Sequence, residues 1–314
     1  MRVCYENWWE ENTETAFFTK LLSRTKIESD ICFYSVFGDR KNINKKFDGI
    51  KIFFSAENHD PIEGLFESKN EDFINSRTKF SGEYGDFASP DVDLALGLMN
   101  RSYPNYMRIP IGAWCCLDSC GMHSKEAIKQ YVDNVNHYKP NIRRHGMACI
   151  ARHDGMGTRT MICDQLEKNF LITYAGSWRN NTDALWKRYA DDKIKYLNNF
   201  RFCICAENSD AEGYCTEKLY DAISAGTIPI YYGAHNNPDP DILNKDAIIF
   251  WDKDGDNILQ IEMIKRLTED DEYYKAFVEQ PKFKNEAIDA IFNLEEDVIN
   301  KIADIDESRK EIHI

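Results

Sequence analysis

Glu217 and Lys218 stand side by side, ten residues after another glutamate, Glu207, with Gly213 and Tyr214 in between. Backbone N–H groups at a helix start favour an anion, and an ammonium group beside them adds to a phosphate site, so these residue types admit phosphate binding. Residues 200–206 form an apolar run fit for a buried strand, and 216–225 follow as a helix closed by Gly226. Residues 227–232 supply the next strand, so the whole segment is one βαβ crossover. In open α/β sheets ligands lie beyond the carboxyl ends of strands, and the loop 207–215 falls there. A cation in the first turn of a helix is locally unfavourable, and a bound phosphate would compensate for Lys218. Glu217 has two readings, because a carboxylate is favourable at a helix start even without a ligand.

The rest of the chain must position these groups. Strand-like runs at 3–5, 31–36 and 49–55 alternate with helical sequence, beginning with a helix near Glu14 to Arg24, which suggests a parallel, Rossmann-like layer. Residues 60–90 are charged and contain Gly and Asn, so a long loop or lid is expected, with a short helix near 70–77. Regular structure returns at 93–97 and 106–109. Ser124 is placed to cap a helix running to about 137. Pro140 and the polar stretch after it mark a boundary, giving domains at 1–142 and 143–314. Further elements are expected at 147–151 (strand), 158–168 (helix), 170–174 (strand) and 191–199 (helix), with helices dominating after Gln260.

Bulk properties narrow the function classes. The 314 residues suit two domains, and the formal net charge of -14 argues against a nucleic-acid partner, which needs a basic face. Residues 251–314 carry nine more acidic than basic residues, expected to be a solvated helical surface. No stretch has the length of a membrane span and the start lacks a signal-peptide pattern, so a soluble, cytoplasmic protein is expected. Ten cysteines form no disulfide framework. Cys115, Cys116 and Cys120, with His123 nearby, are zinc-ligand types without the paired spacing of a structural site, so reduced thiols and no metal are expected. Asp254, Gly255, Asp256 and Asn257 lack the EF-hand spacing and are taken as a turn.

Three ordered blocks carry a resemblance: Cys205-Ala206-Glu207-Asn208-Ser209, then Gly213-Tyr214-Cys215-Thr216-Glu217-Lys218-Leu219, then Gly226-Thr227-Ile228-Pro229-Ile230-Tyr231-Tyr232-Gly233. Together they resemble the donor signature of the α1,3-fucosyltransferases, glycosyltransferase family 10, with the soluble bacterial-type members nearest. Trp8-Trp9, Glu57-Asn58, the stretch from Asp93 to Gly97 and the step from Arg108 to Pro110 extend the likeness to about residues 1–275. The resemblance implies an α/β fold of GT-B type, two Rossmann-like domains facing a cleft. The first would take a glycan acceptor and the second a GDP-sugar donor.

By position the resemblance gives Arg159 the donor diphosphate, with Lys218 as second cation, and Glu217 the ribose hydroxyls, with Asn208 and Tyr214 completing the pocket. Glu57 is the implied general base of an inverting transfer of L-fucose from GDP-fucose, most naturally to the 3-hydroxyl of N-acetylglucosamine. Partial burial would raise such a base toward neutrality. Bland readings stand beside these: a surface arginine, and a Glu-Asn pair ending a strand. Trp8 and Trp9 are candidates for stacking on an acceptor sugar or for core packing, and His59 for tuning the base or for a plain loop residue. Two cations leave no need for a divalent metal or other cofactor. The segment between Glu57 and Asp93 is longer than in the bacterial members, no membrane anchor is expected before the first domain, and the tail lacks a basic amphipathic helix. The alternatives are the same fold with another nucleotide sugar or acceptor, and a sugar-nucleotide-binding protein without turnover.

Overall fold

The computed structural model describes residues 1–9, 16–120, 124–139, 141–142 and 144–312. The expected helix start at Glu14, the possible zinc ligand His123 and the punctuating Pro140 lie outside the described residues. Among the described residues, ten strands form two five-stranded parallel sheets. The first contains β1 (Val3–Glu6), β2 (Ile31–Tyr34), β3 (Ile50–Ser55), β4 (Leu94–Gly97) and β5 (Tyr106–Arg108), side by side in chain order. The second contains β6 (Met147–Cys149), β7 (Ile172–Tyr174), β8 (Phe202–Ala206), β9 (Ile228–Tyr232) and β10 (Ile249–Phe250), in the order β10-β9-β8-β6-β7. The helices are α1 (Ala16–Ser23), α2 (Glu71–Tyr84), α3 (Ile111–Cys120), α4 (Lys125–Asn136), α5 (Thr158–Leu166), α6 (Ala184–Tyr189), α7 (Lys193–Leu197), α8 (Glu217–Ser224), α9 (Ile258–Glu269), α10 (Asp271–Val278) and α11 (Ala287–Ile312).

Parallel strands buried on both faces give continuous apolar runs rather than alternation. Ile-Cys-Phe-Tyr in β2 and Phe-Cys-Ile-Cys-Ala in β8 are such runs, buried at every position. Ser124 caps α4 as expected, accepting from the Ala127 N–H at 3.2 Å. Gly226 takes the left-handed φ of +67° just past α8. Edge strand β7 is covered by a side chain: the Asn181 amide accepts from Tyr174 N–H at 2.8 Å and donates to the Ile172 carbonyl at 3.0 Å.

Two features differ from the sequence reading. Residues 60–90 hold a 14-residue helix, α2, flanked by short 3-10 turns. Its buried positions are Phe73, Arg77, Phe80 and Tyr84, a helical stripe disguised by an arginine among aromatics. The chain also returns on itself. One compact unit comprises 1–63, 75–129 and 288–314, and the other 64–74 and 130–287. The acidic tail therefore packs with the first sheet's unit rather than the second's. Within that unit α11 buries Ile291, Val298 and Ile302, and its buried Asp306 accepts from the Glu28 and Ser29 N–H groups at 3.2 and 3.0 Å.

Candidate functional site

In the second unit the strand order changes direction at β6. The chain steps from β6 outward to β7, then returns to place β8 on the other side of β6. Loops leaving β6 and β8 diverge at such a switch point, opening a crevice at the strands' carboxyl ends. Arg159, in the first turn of α5, spans it. Its Nη1 donates to the His153 carbonyl at 2.7 Å, and its Nη2 donates to the Ala206 carbonyl at 2.9 Å and Asn208 Oδ1 at 2.8 Å. These bonds engage three of the five guanidinium N–H groups and fix the fork in place. Arg159 is only 5% exposed, so the surface-arginine reading does not hold. The Asp154 carboxylate accepts from the N–H groups of Arg159 at 3.0 Å and Thr160 at 2.7 Å, capping α5.

Across the crevice, Glu207 directly follows β8 and is fully buried. One carboxylate oxygen accepts from Thr216 N–H at 2.7 Å, and the other from the Thr216 hydroxyl at 2.7 Å and Lys218 Nζ at 3.2 Å. Lys218 Nζ also donates to Thr216 Oγ1 at 2.8 Å and lies 3.5 Å from Glu217. Burial disfavours the ammonium charge, but Glu207 and Glu217 overcome it and hold Lys218 above the usual lysine range. Gly233 makes room for this. Its φ is +141°, and a Cβ there would stand 2.6 Å from Glu207 Cγ.

Glu217 keeps 44% of its side chain exposed. Burial of the carboxyl opposes its charge, yet Lys218 and Lys193 prevail and hold it at about 2. It is thus an ionised acceptor with access to solvent, suited to hydroxyl groups. Tyr214 is 1% exposed, enclosed by the loop rather than presented outward.

In the first unit, Glu57 follows β3 by two residues. Its N–H donates to Ser55 Oγ at 3.1 Å, and its Oε2 lies 2.8 Å from Nη1 of Arg77 on α2. His59 is 1% exposed, so it is a core residue, not one open to an acceptor. Its Nδ1–H donates to the Tyr84 carbonyl at 2.5 Å, its Nε2 accepts from Ser55 Oγ at 2.7 Å, and its ring stacks on Phe87 at 4.2 Å. Burial lowers its pKa to about 4, which keeps it neutral. Trp8 is core as well, 8% exposed and packed on Tyr5, Phe18 and Phe33. Trp9, partly exposed, rests on Trp8 and Phe37.

The structure thus brings Arg159 to Asn208 and Lys218 to Glu217, and seats Glu57 on the first sheet. Sequence reasoning left Glu207, Asp154 and Arg77 out of the site. For Glu207 a signal existed: a lone carboxylate ending a buried strand, with a threonine and a lysine nine and eleven residues on. Among the described residues, no group of three or more His, Cys, Asp or Glu is arranged to hold a metal, and no helix is long and apolar enough to cross a membrane.

Comparison with known proteins agrees with this arrangement. The fold is similar to a crystal structure of an α1,3-fucosyltransferase with GDP-fucose, at a TM-score of 0.60 and 19% identity, covering 95% of this chain and 90% of that one. Two parallel Rossmann-like sheets with this likeness define a fold of the GT-B class. Residues 141–301 match the model of the C-terminal part of glycosyltransferase family 10 (fucosyltransferase), and the chain belongs to that family. It is 24% identical to the α-(1,3)-fucosyltransferase of Helicobacter pylori over 74% of this chain and 50% of that protein. It is 36% identical to GDP-fucose protein O-fucosyltransferase 3 of Xenopus laevis over 80% of this chain and 54% of that protein. The chain spans about half the length of these curated relatives.

Proposed function

We propose that this protein transfers L-fucose from GDP-fucose to a hydroxyl group, with inversion at the sugar's anomeric carbon. The acceptor oxygen forms the new bond to that carbon, and its proton goes to the Glu57 carboxylate. The bond from the anomeric carbon to the phosphate oxygen breaks, and GDP leaves with the electron pair. Arg159 and Lys218 meet the charge developing on the diphosphate, and Glu217 takes the ribose hydroxyls. The observation that carries this reading is the pair of fixed cations at the β6/β8 switch point, each locked by neighbouring oxygen acceptors. With both cations preset, the transfer is expected to run without a divalent ion, and a chelator should leave its rate unchanged.

Two acceptor classes compete. A glycan hydroxyl, such as the 3-hydroxyl of N-acetylglucosamine, follows from the likeness to α1,3-fucosyltransferases. A protein hydroxyl is favoured by the 36% identity to a protein O-fucosyltransferase. Acceptor-dependent GDP release, measured with GDP-fucose and a panel of oligosaccharides and folded protein domains, separates them. No GDP release above acceptor-free hydrolysis with any of these, together with thermal stabilisation by UDP but not GDP, would overturn the donor reading.

A further inference from the structure

Arg77 lies at the end of the short helix expected within the 60–90 loop. It lies on α2, is 7% exposed, and its guanidinium sits 4.9 Å from the centre of the Phe80 ring. A buried arginine is uncommon and needs a partner for its charge. One partner is Glu57, whose Oε2 forms an ion pair with Nη1 at 2.8 Å. From the other side, Tyr84 carbonyl, His59, Ser55 Oγ and Glu57 N–H form one chain of hydrogen bonds that fixes the backbone at Glu57. Glu57 is thus held by a hydrogen bond at its main chain and by an ion pair at its carboxylate. The Glu57 side chain stays 23% exposed, so it can meet a substrate.

We propose that Arg77 is a positioning residue for the general base: it pins Oε2 so that Oε1 presents its lone pair to the acceptor hydroxyl. The inference rests on the reading of Glu57 as base. A base held by one oxygen has a defined direction for the other, and a misplacement of about 1 Å at a reacting group costs on the order of 100-fold in rate. A purely structural role for Arg77 would predict lower stability with no special relation to Glu57.

The test is a double-mutant cycle on the full chain, with kcat and the KM for GDP-fucose measured well below each variant's Tm. Arg77→Met should lower kcat on the order of 100-fold with the GDP-fucose KM within about twofold of wild type. Arg77→Lys keeps the charge without the planar fork and should recover activity to within about tenfold of wild type. It also serves as the folded comparison if the Met variant is unstable. In a Glu57→Gln background Arg77→Met should change kcat by less than about twofold, because the group it positions is gone. Equal losses in both backgrounds, or wild-type kcat in Arg77→Met, would overturn the positioning role. Full activity in Glu57→Gln alone would instead remove the base reading beneath it.

Discussion

Glu57 and Glu207 occupy matching places, each just past the carboxyl end of a central parallel strand and each beside a cation. Their surroundings differ in one respect that decides their roles. Glu207 is fully buried, and its two oxygens are taken by Thr216 and Lys218. Glu57 keeps 23% of its side chain exposed and meets the Arg77 guanidinium through Oε2. A buried carboxylate with both oxygens engaged by the protein is shut off from a substrate proton; it builds the site. A partly exposed carboxylate held by an ion pair is constrained and still available. The contrast separates a scaffold acid from the proposed base within the same architectural slot.

The largest effects should come from neutralising each acid, and they should differ in kind. Glu57→Gln is expected to lower kcat by on the order of 1,000-fold, the range of a lost general base, with GDP still stabilising the protein in thermal shift. Glu207→Gln presents an amide N–H to donors that expect an acceptor, leaving Lys218 without its buried counter-charge. It should cost about 3 kcal/mol in folding stability and raise the GDP-fucose KM on the order of tenfold. Denaturant unfolding and initial-rate kinetics on both variants check this. An unchanged Tm for Glu207→Gln would erase the distinction between the two acids.

Next in size is Gly233→Ala. The left-handed extended backbone at φ +141° is a glycine conformation, and the added methyl would meet Glu207 Cγ at 2.6 Å. A loss of roughly 2–3 kcal/mol is expected, combining backbone strain with displacement of the carboxylate. Donor affinity should fall together with stability, since the displaced group anchors Lys218. If stability drops while the GDP thermal shift stays at its wild-type size, Glu207 is not the link between glycine and cation.

The two acids also differ in how far the sequence revealed them. The Glu207 site closes within a short stretch: strand, loop, threonine, lysine and glycine all lie between residues 202 and 233, so local pattern and resemblance expose the segment and its Lys218, though not the role of Glu207 itself. The βαβ elements there match the expected ranges to within two residues or so. Around Glu57 the partner comes from elsewhere. Arg77 sits on a helix whose buried stripe includes a cation, and hydrophobic periodicity does not register a buried arginine. His59 appeared to be a loop residue because its burial depends on Tyr84 and Phe87, some 25 residues away in sequence. The tail's place beside the first sheet depends on contacts between Asp306 and residues near β2, a separation of more than 270 positions. Local chemistry was legible; long-range partners were not.

The smallest expected effect concerns the chain of hydrogen bonds behind Glu57. His59 is buried and neutral, with its pKa lowered to about 4 chiefly by burial, while an unfolded histidine titrates near 6.5. Between these values the unfolded chain binds the proton and the folded one does not. The contribution is therefore fully present above the unfolded value and is lost as pH falls from about 6.5 toward 4. From pH 7 to pH 5.5 this amounts to about 1 kcal/mol. His59→Phe keeps the stacking on Phe87 but removes the titrating group and the bond to Ser55. Urea unfolding of both proteins at several pH values should show the wild type losing that increment and the variant lacking it. Because Glu57 N–H still finds Ser55 Oγ, activity in His59→Phe should fall by only a few-fold, far less than in Glu57→Gln. A loss as large as that of Glu57→Gln would mean that the imidazole, not the arginine, sets the direction of the base.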